Sequence, residues 1–321
     1  MWILGIVFFL SLFCELIANN KPYVLVYNGN VYFPILRFYP SQEFGGEYRT
    51  EADYFALQKQ SHFNEKKSFM IFPPVPHDPL HSYLDLSGEP PHPPSLRHWL
   101  GTDTMARDVF ARLLYGFRIC MLFALLLALS STVLGIIIGG LQGYLGGKYD
   151  IAMQRFIEIW SALPFLYVVI LIGTWYGRSF MILLTIMSFF QWIGLSYYMR
   201  GEFFKLKNMN YVQVAKSLGL GHFRIFFKQI LPNGLTPVIT IFPFSLIGGI
   251  SSLTALDFLG FGLQPPTPSW GELLSQGLSN LYAPWIAIST VCALFFTLLL
   301  ATFIGEGVRE AFDPKSDSYL E

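Results

Sequence analysis

Long apolar blocks separated by polar segments dominate this chain. A helix that crosses a hydrocarbon core ~30 Å thick needs about 20 apolar residues. Stretches that reach or approach this length occupy residues 2–18, 119–141, 159–176, 180–199, 235–256 and 285–304. The pattern therefore predicts an all-α protein that crosses a membrane six times. Pro164, Pro237 and Pro243 lie within these blocks, where they predict kinks.

Composition supports a membrane protein. Of the 321 residues, 53% are hydrophobic and only 13% are charged, whereas soluble domains carry about 25% charged residues. Basic and acidic residues number 21 each, so no net charge favours nucleic acid as a partner. Cys14, Cys120 and Cys292 lie in separate apolar blocks, which predicts packed free thiols. The lipid bilayer is therefore the first partner that the sequence predicts.

Basic residues in the loops predict the orientation of the spans. The loop 200–234 contains several of them, whereas the loop 257–284 contains none. We therefore expect the loop 200–234 and the tail 307–321 on the cytoplasmic side. The first block is either an uncleaved anchor, 1–19, or a cleaved signal peptide. It lacks the basic start of a signal peptide, and an even number of spans places both ends inside, so the anchor is preferred.

Residues 20–97 are predicted to form an external insertion. Asn28-Gly29-Asn30 separates two β-prone stretches, which predicts a hairpin. The histidines of this region are irregularly spaced, which favours separate surface side chains over a metal site. They are His62, His77, His81, His92 and, directly after residue 97, His98. The sequence shows no pattern typical of a catalytic set, so we predict no catalytic, metal-binding or cofactor-binding residue.

The residues 98–118 are predicted to form an external amphipathic segment before the second span. Asp103 or Thr104 is placed to cap a short helix on the outer membrane surface. A simple lid of charged and apolar residues, where the chain returns to the membrane, explains the same pattern without any ligand.

The loop 200–234 contains a short predicted helix, 211–218. Asn208 or Asn210 is placed to cap it, and Gly219 is placed to end it. Val212 and Ala215 fall on one face, which Leu218 continues. A second helical stretch, 222–231, is predicted to close at Pro232. Because a helix of this length is far below the ~12–15 residues that are marginal alone, it must dock. Its own bundle, the lipid surface and another protein are all open from the residues alone.

The energy source is also constrained by the sequence. Glu158, Asp257 and Glu306 lie near span ends, and the span centres contain no ionisable residue. Ion-coupled carriers usually need such groups at the midplane. The chain also lacks the G-x-x-x-x-G-K-[ST] loop that binds nucleotide phosphates. Active transport would therefore draw its energy from another chain.

Two ordered motifs resemble the C-type permease subunits of peptide ABC importers. The stretch His-Trp-Leu-Gly-Thr-Asp at 98–103, with Arg-Asp-Val at 107–109, is similar to their signature before the second span. The stretch 211–219, followed by Ile-Leu-Pro-Asn at 230–233, resembles their cytoplasmic coupling loop. One difference lies at Gln213-Val214, where the family usually has Glu-Ala.

Further motifs extend this resemblance over nearly the whole chain. The stretch 259–271 is similar to the external loop before the last span, and 305–314 is similar to the end of such subunits. Within the family, the segment 20–94 resembles the external insertion of Yej-type subunits, which serve the import of microcin C and oligopeptides.

The resemblance implies a type I ABC importer permease fold with six transmembrane helices and an external, partly β insertion after the first. It divides the chain into the anchor, the insertion, the 98–118 segment, a five-helix core at 119–306 and the tail 307–321. The expected location is the bacterial inner membrane. This subunit would form half of the pathway of an ATP-driven importer of oligopeptides or peptide-like compounds, and it would not be an enzyme.

The resemblance also implies partners and coupling residues. The expected partners are a second, B-type permease, cytoplasmic ATPase subunits and a periplasmic solute-binding protein. The residues expected to couple to the ATPase are Tyr211, Val212, Gln213, Ala215, Lys216, Leu218, Gly219 and Pro232. The alternatives are a stand-alone secondary carrier or channel, and a membrane-anchored enzyme or sensor that acts through residues 20–97.

Overall fold

The computed structural model describes residues 2–59, 63 and 68–312, and it is predominantly helical. Its α-helices are α1 (Trp2–Leu12), α2 (Cys14–Ile17), α3 (Tyr54–Gln58), α4 (Val109–Leu145), α5 (Gly147–Ser161), α6 (Phe165–Tyr176), α7 (Phe180–Leu206), α8 (Asn210–Ser217), α9 (His222–Arg224), α10 (Thr236–Phe258), α11 (Trp270–Ser279) and α12 (Pro284–Ala311). The strands are β1 (Val24–Tyr27), β2 (Asn30–Tyr32) and β3 (Phe69–Ile71).

Four of the described helices are long and apolar enough to cross a membrane, namely α4, α7, α10 and α12. They contain most or all of the predicted spans 119–141, 180–199, 235–256 and 285–304. A fifth span is counted if α5 and α6 form one broken crossing. Lipid offers no hydrogen-bond partner to backbone N–H and C=O groups. These apolar segments are therefore helical, because a helix pairs those groups with each other.

The predicted span 159–176 does not lie in one helix. It begins near the end of α5, and α6 follows at an angle of 73° after a short break. Pro164 stands at the N-cap of α6 in an extended conformation. Proline lacks an N–H group and disfavours helix in the preceding residue, so the predicted kink is a complete break. By contrast, α10 continues through Pro243.

The first apolar block is likewise divided. A turn at Phe13 separates α1 from α2, and neither helix alone is long enough to span a bilayer. The count of six spans, which needs the block 2–18 as a single crossing, therefore remains a prediction.

The insertion contains a small antiparallel sheet in the order β2-β1-β3. β1 and β2 pair on either side of Asn28 and Gly29, at the position of the predicted hairpin. The register places Leu25 opposite both Tyr32 and Met70, and these side chains contribute to one apolar cluster. That cluster also contains Phe44 and Tyr54, so the sheet is held from one face.

The 98–118 segment does not form a separate surface helix, and this prediction is wrong. Residues 109–118 are the first turns of α4, which continues without a break to Leu145. Asp108 caps this helix, because its Oδ1 accepts from the Ala111 N–H at 2.7 Å. Asp103 instead accepts from the N–H groups of Met105 and Arg107, both at 2.9 Å, within a tight turn. The Asp103 carboxylate, which was expected to cap a helix, therefore stabilises this turn.

The chain forms two compact units. Among the described residues, one unit comprises 2–4, 120–264 and 294–312, and the other comprises those of 5–119 and 265–293. The first contains the loop 200–234, and the second contains the insertion with the 98–118 segment.

Candidate functional site

One face of α8 packs against the helices around it. Val212 is fully buried and Ala215 nearly so. Both belong to an apolar cluster contributed by α4, α7, α8 and the segment after α9. The buried members are Tyr144, Leu195, Met199, Phe203, Leu206, Val212, Ala215, Ile225, Phe226 and Ile230. This packing gives a helix of eight residues the support that it lacks alone.

The opposite face of α8 remains exposed although it is partly apolar. Val214 is 58% exposed, Leu218 is 76% exposed, and Tyr211 is also accessible. The prediction that Leu218 continues the buried face is wrong, because α8 ends at Ser217 and Leu218 is its C-cap. Gln213 and Lys216 are exposed as well. The helix thus has a docked face and a free face.

The predicted end of α8 at Gly219 is present, whereas its predicted asparagine cap is not. Met209 is the N-cap and makes no side-chain cap, and Asn210 is already helical. The Asn208 side chain donates to the Phe204 carbonyl at 3.0 Å instead. At the other end, Gly219 adopts a left-handed conformation with φ of +76°, and Leu220 N–H donates to the Ala215 carbonyl at 3.1 Å. This is the predicted glycine-terminated helix end.

The second helical stretch of the loop is not a regular α-helix. After α9 the chain forms a π-helix, Ile225–Ile230, and then a 3-10 turn, Leu231–Gly234. Pro232 lies in the first turn of the latter, where its missing N–H costs no helical hydrogen bond. Single π-helical turns often occur at functional sites.

A hydrogen bond joins this loop to α4. The hydroxyl of Tyr144 and Nδ1 of His222 are 2.7 Å apart. The Lys216 ammonium lies 5.9 Å from the centroid of the Tyr144 ring, and Phe226 meets the same ring edge-on at 6.0 Å. Sequence reasoning did not select Tyr144 or His222. The available signal was that His222 is the one histidine outside residues 62–98.

An apolar hollow of about 330 Å³ adjoins this bond. Its lining residues are Ile137, Leu141, Tyr144, Leu145, His222, Phe223, Phe226 and Phe227. Phe223 and Phe227 are exposed, and their ring centroids are 4.5 Å apart. Loop 200–234 thus exposes apolar side chains on the free face of α8 and the two aromatic rings of Phe223 and Phe227.

In the other unit, a buried ionic network joins the 98–118 segment to α11. The Arg107 guanidinium lies 2.7 Å from Asp103 and 2.9 Å from Glu272. Arg112 is fully buried, with Nη2 2.7 Å from Glu272 and Nε 3.5 Å from Asp103. Burial by itself lowers the pKa of Arg107. The hydrogen bonds and charges of Asp103 and Glu272 raise it by more, so the pKa lies above its ordinary value. Both cations are therefore held by the same two carboxylates.

Further contacts fix α11 against the start of α4. The indole N–H of Trp270 donates to the Leu113 carbonyl at 2.9 Å, and Thr104 donates to Gln276 at 2.9 Å. A Cβ atom at Gly116 would lie only 2.8 Å from the Trp270 ring. The structure thus brings together the 98–118 segment and α11, which are remote in the sequence.

The prediction of separate surface histidines is wrong for two of them. His77 and His98 are each 1% exposed, and their rings stack at 4.2 Å. His81 is exposed and His92 is half-buried. His62 lies outside the described residues.

Comparisons with known proteins identify a family and several relatives of this chain. The family model described as "Binding-protein-dependent transport system inner membrane component" matches residues 131–318. An Escherichia coli K12 protein, "Inner membrane ABC transporter permease protein YejE", is 43% identical over 98% of this chain and 92% of its own length. The Agrobacterium fabrum "Peptidoglycan transport system permease protein YejE" is 40% identical over 98% of this chain and 88% of its own.

A third relative matches a smaller share of the chain. The Haemophilus influenzae "Oligopeptide transport system permease protein OppC" is 38% identical over 68% of this chain and 70% of its own length. The chain therefore belongs to the inner-membrane permease components of binding-protein-dependent ABC transport systems. Within that family it is similar to the two YejE permeases over almost its entire length. It is a multi-pass inner-membrane transport subunit and not an enzyme.

Proposed function

We propose that this chain forms half of the pathway of an ATP-driven importer of oligopeptides or peptide-like compounds. The names of the YejE and OppC relatives refer to peptidoglycan and oligopeptide transport, which supports a peptide-like cargo. The partners are a B-type permease, cytoplasmic ATPase subunits and a periplasmic solute-binding protein. The chain crosses the membrane six times, with loop 200–234 in the cytoplasm and the insertion outside.

The two-faced helix α8 is the observation that carries this proposal. Its free face presents Tyr211, Gln213, Lys216 and Leu218 to an ATPase subunit. The buried side chains of Val212 and Ala215 fix the helix to the permease, and Gly219 and Pro232 shape the chain around it.

Coupling follows from this arrangement. When ATP binding closes the ATPase subunits, they displace α8 through its free face. Because Val212 and Ala215 pack among Phe203 and Phe226, the displacement is passed to α7 and to the π-helical segment. Packed interfaces change between discrete arrangements and do not deform continuously, which suits a switch between outward-facing and inward-facing states.

Reconstitution tests the proposal. Proteoliposomes that contain the chain, the B-type permease and the ATPase subunits are supplied with binding protein and labelled peptide. We expect ATP-dependent accumulation that is lost when the ATPase subunits are omitted. Accumulation of peptide by this chain alone would contradict the proposal and would establish a stand-alone carrier.

A further inference from the structure

We propose that His77, His98 and Asp108 form a binding site for a divalent transition-metal ion, and that Zn²⁺ is the ion that suits it. This site is independent of the transport proposal. It lies within the unit that contains the insertion and joins three places in the sequence: the loop after β3, the turn at residues 95–101 and the N-cap of α4.

The three side chains are close enough to share one ion. One potential ligand atom from each lies within 4.8 Å of the other two, and all three residues are buried. Zinc binds imidazole nitrogen and carboxylate oxygen at ~2.0–2.2 Å, so two ligands of one ion are at most ~4.4 Å apart. To bind one ion, the stacked rings of His77 and His98 would have to turn so that both nitrogens point at the same place.

The nitrogen that His77 would offer has no other partner. Nε2 of His77 donates to the Arg97 carbonyl at 2.6 Å, which leaves Nδ1 with a free lone pair. Within the described part of the chain, this buried Nδ1 has no hydrogen-bond partner. Buried polar atoms of this kind are rare in native proteins, and an unseen ion is one of their established explanations.

His98 and Asp108 face each other through the atoms that would bind the ion. Nδ1 of His98 lies 2.9 Å from Oδ2 of Asp108, and an ion held by both atoms would replace this hydrogen bond. The other oxygen of Asp108 is held by the Ala111 N–H at 2.7 Å, which orients the carboxylate. His77 is oriented as metal-binding histidines commonly are, with its second ring nitrogen bonded to a backbone carbonyl.

The chemistry of the donors selects the class of ion. Two imidazoles and one carboxylate suit Zn²⁺ and its neighbours, whereas Ca²⁺ and Mg²⁺ require mostly oxygen ligands. The guanidinium of Arg97 lies over the Tyr83 ring, 5.5 Å from its centroid, and hydrogen-bonds Asp85 at 2.9 Å. Asp108 supplies the negative charge at the site. A bound ion would fasten the loop at His77 to the start of α4.

Zinc binding to the whole chain tests the site. The protein is purified in detergent without a polyhistidine tag, stripped with a chelator, dialysed against Zn²⁺ and analysed by mass spectrometry for metal. We expect about one zinc ion per chain, as for a single structural site. H77Q and H98Q should each lose this ion, whereas the matched control H81Q, which removes an exposed histidine, should keep it.

Two results would overturn the site: wild-type protein that retains no zinc, or H77Q protein that retains as much as wild type. X-ray absorption at the zinc edge of the wild-type protein decides the matter if the variants do not fold. Imidazole and oxygen scattering supports the proposal. Sulfur scattering would assign the zinc to cysteine and contradict it.

Discussion

The Tyr144 hydroxyl and Nδ1 of His222, 2.7 Å apart, connect the end of the longest described helix to the loop that carries α8. Tyr144 is 8% exposed, and its ring belongs to the same apolar cluster as Val212 and Ala215. A movement of the loop therefore reaches α4 through a directional bond as well as through apolar packing. This contact is a specific route from the proposed ATPase surface to a membrane span.

Replacement of Tyr144 by Phe tests that route. The ring keeps its packing, whereas the lost hydrogen bond costs about 1 kcal/mol. We expect ATP-dependent uptake to fall a few-fold with unchanged abundance in the membrane, measured as labelled peptide accumulated per mole of ATP hydrolysed. The control is Tyr149→Phe, which removes an exposed hydroxyl in α5. An unchanged ratio of transport to hydrolysis in Y144F would show that the bond carries no coupling.

Gly219 and Gly221 form a matched pair of positions. A Cβ atom would meet nothing within 4 Å at either site, but only Gly219 has a positive φ. A left-handed backbone costs a branched residue about 1–2 kcal/mol. We expect Gly219→Val to insert normally and to lose peptide uptake, whereas Gly221→Val keeps it. Normal uptake by G219V would mean that the geometry of this turn is not needed for coupling.

The two faces of α8 should respond differently to substitution. Leu218→Ser changes an exposed side chain, so stability should move by no more than about 0.5 kcal/mol while binding of the ATPase weakens. Val212→Ala removes buried methyl groups and should cost roughly 2 kcal/mol of stability. Co-purification of the ATPase and thermal unfolding separate these outcomes. If L218S retained the ATPase as well as wild type, the free face would not be the contact.

Glu272→Gln tests the ionic network of the other unit. It removes one of the two carboxylates that hold the buried Arg112, and uncompensated buried charge costs about 3 kcal/mol. We expect a lower unfolding temperature and less protein in the membrane. Glu306→Gln breaks an exposed pair with Arg309 and should cost less than about 1 kcal/mol. Equal stability of the two variants would show that the network is not stabilising.

Cysteine labelling tests the orientation. In a C292S background, Ser217→Cys, at the exposed end of α8, should react with an impermeant maleimide only after the membrane is opened. Leu36→Cys, at an exposed position of the insertion, should react in intact cells. Labelling of S217C from outside would reverse the proposed topology.

The sequence predicted the long helices because lipid leaves the backbone no alternative to internal hydrogen bonds. It did not predict where α4 begins. Arg112 and Arg118 made residues 109–118 look like a surface segment, but their charges are neutralised by Glu272 and Glu15, which are remote in sequence. The helix continues through the polar stretch because the partners come from elsewhere in the fold.

The candidate sites were predictable to the extent that they are local. Gly219 and the short helix before it follow from neighbouring residues, and both are present. Other features depend on tertiary packing, which residue spacing does not reveal. They are the exposure of Leu218, the Tyr144–His222 bond and the stacked pair of His77 and His98. Asn208 was mispredicted for a local reason, because its side chain donates to a carbonyl four residues earlier, at the end of the preceding helix.

The π-helical turn at Ile225–Ile230 makes the length of this stretch as consequential as its composition. Its hydrogen bonds close over one residue more than those of an α-helix, so losing a single residue would restore regular winding. Such a deletion would rotate everything on its N-terminal side by roughly 100° about the helix axis. The exposed ring of Phe223 would then point in another direction relative to the helix that follows, and homologues that differ by one residue here would present a different surface to their motor subunits.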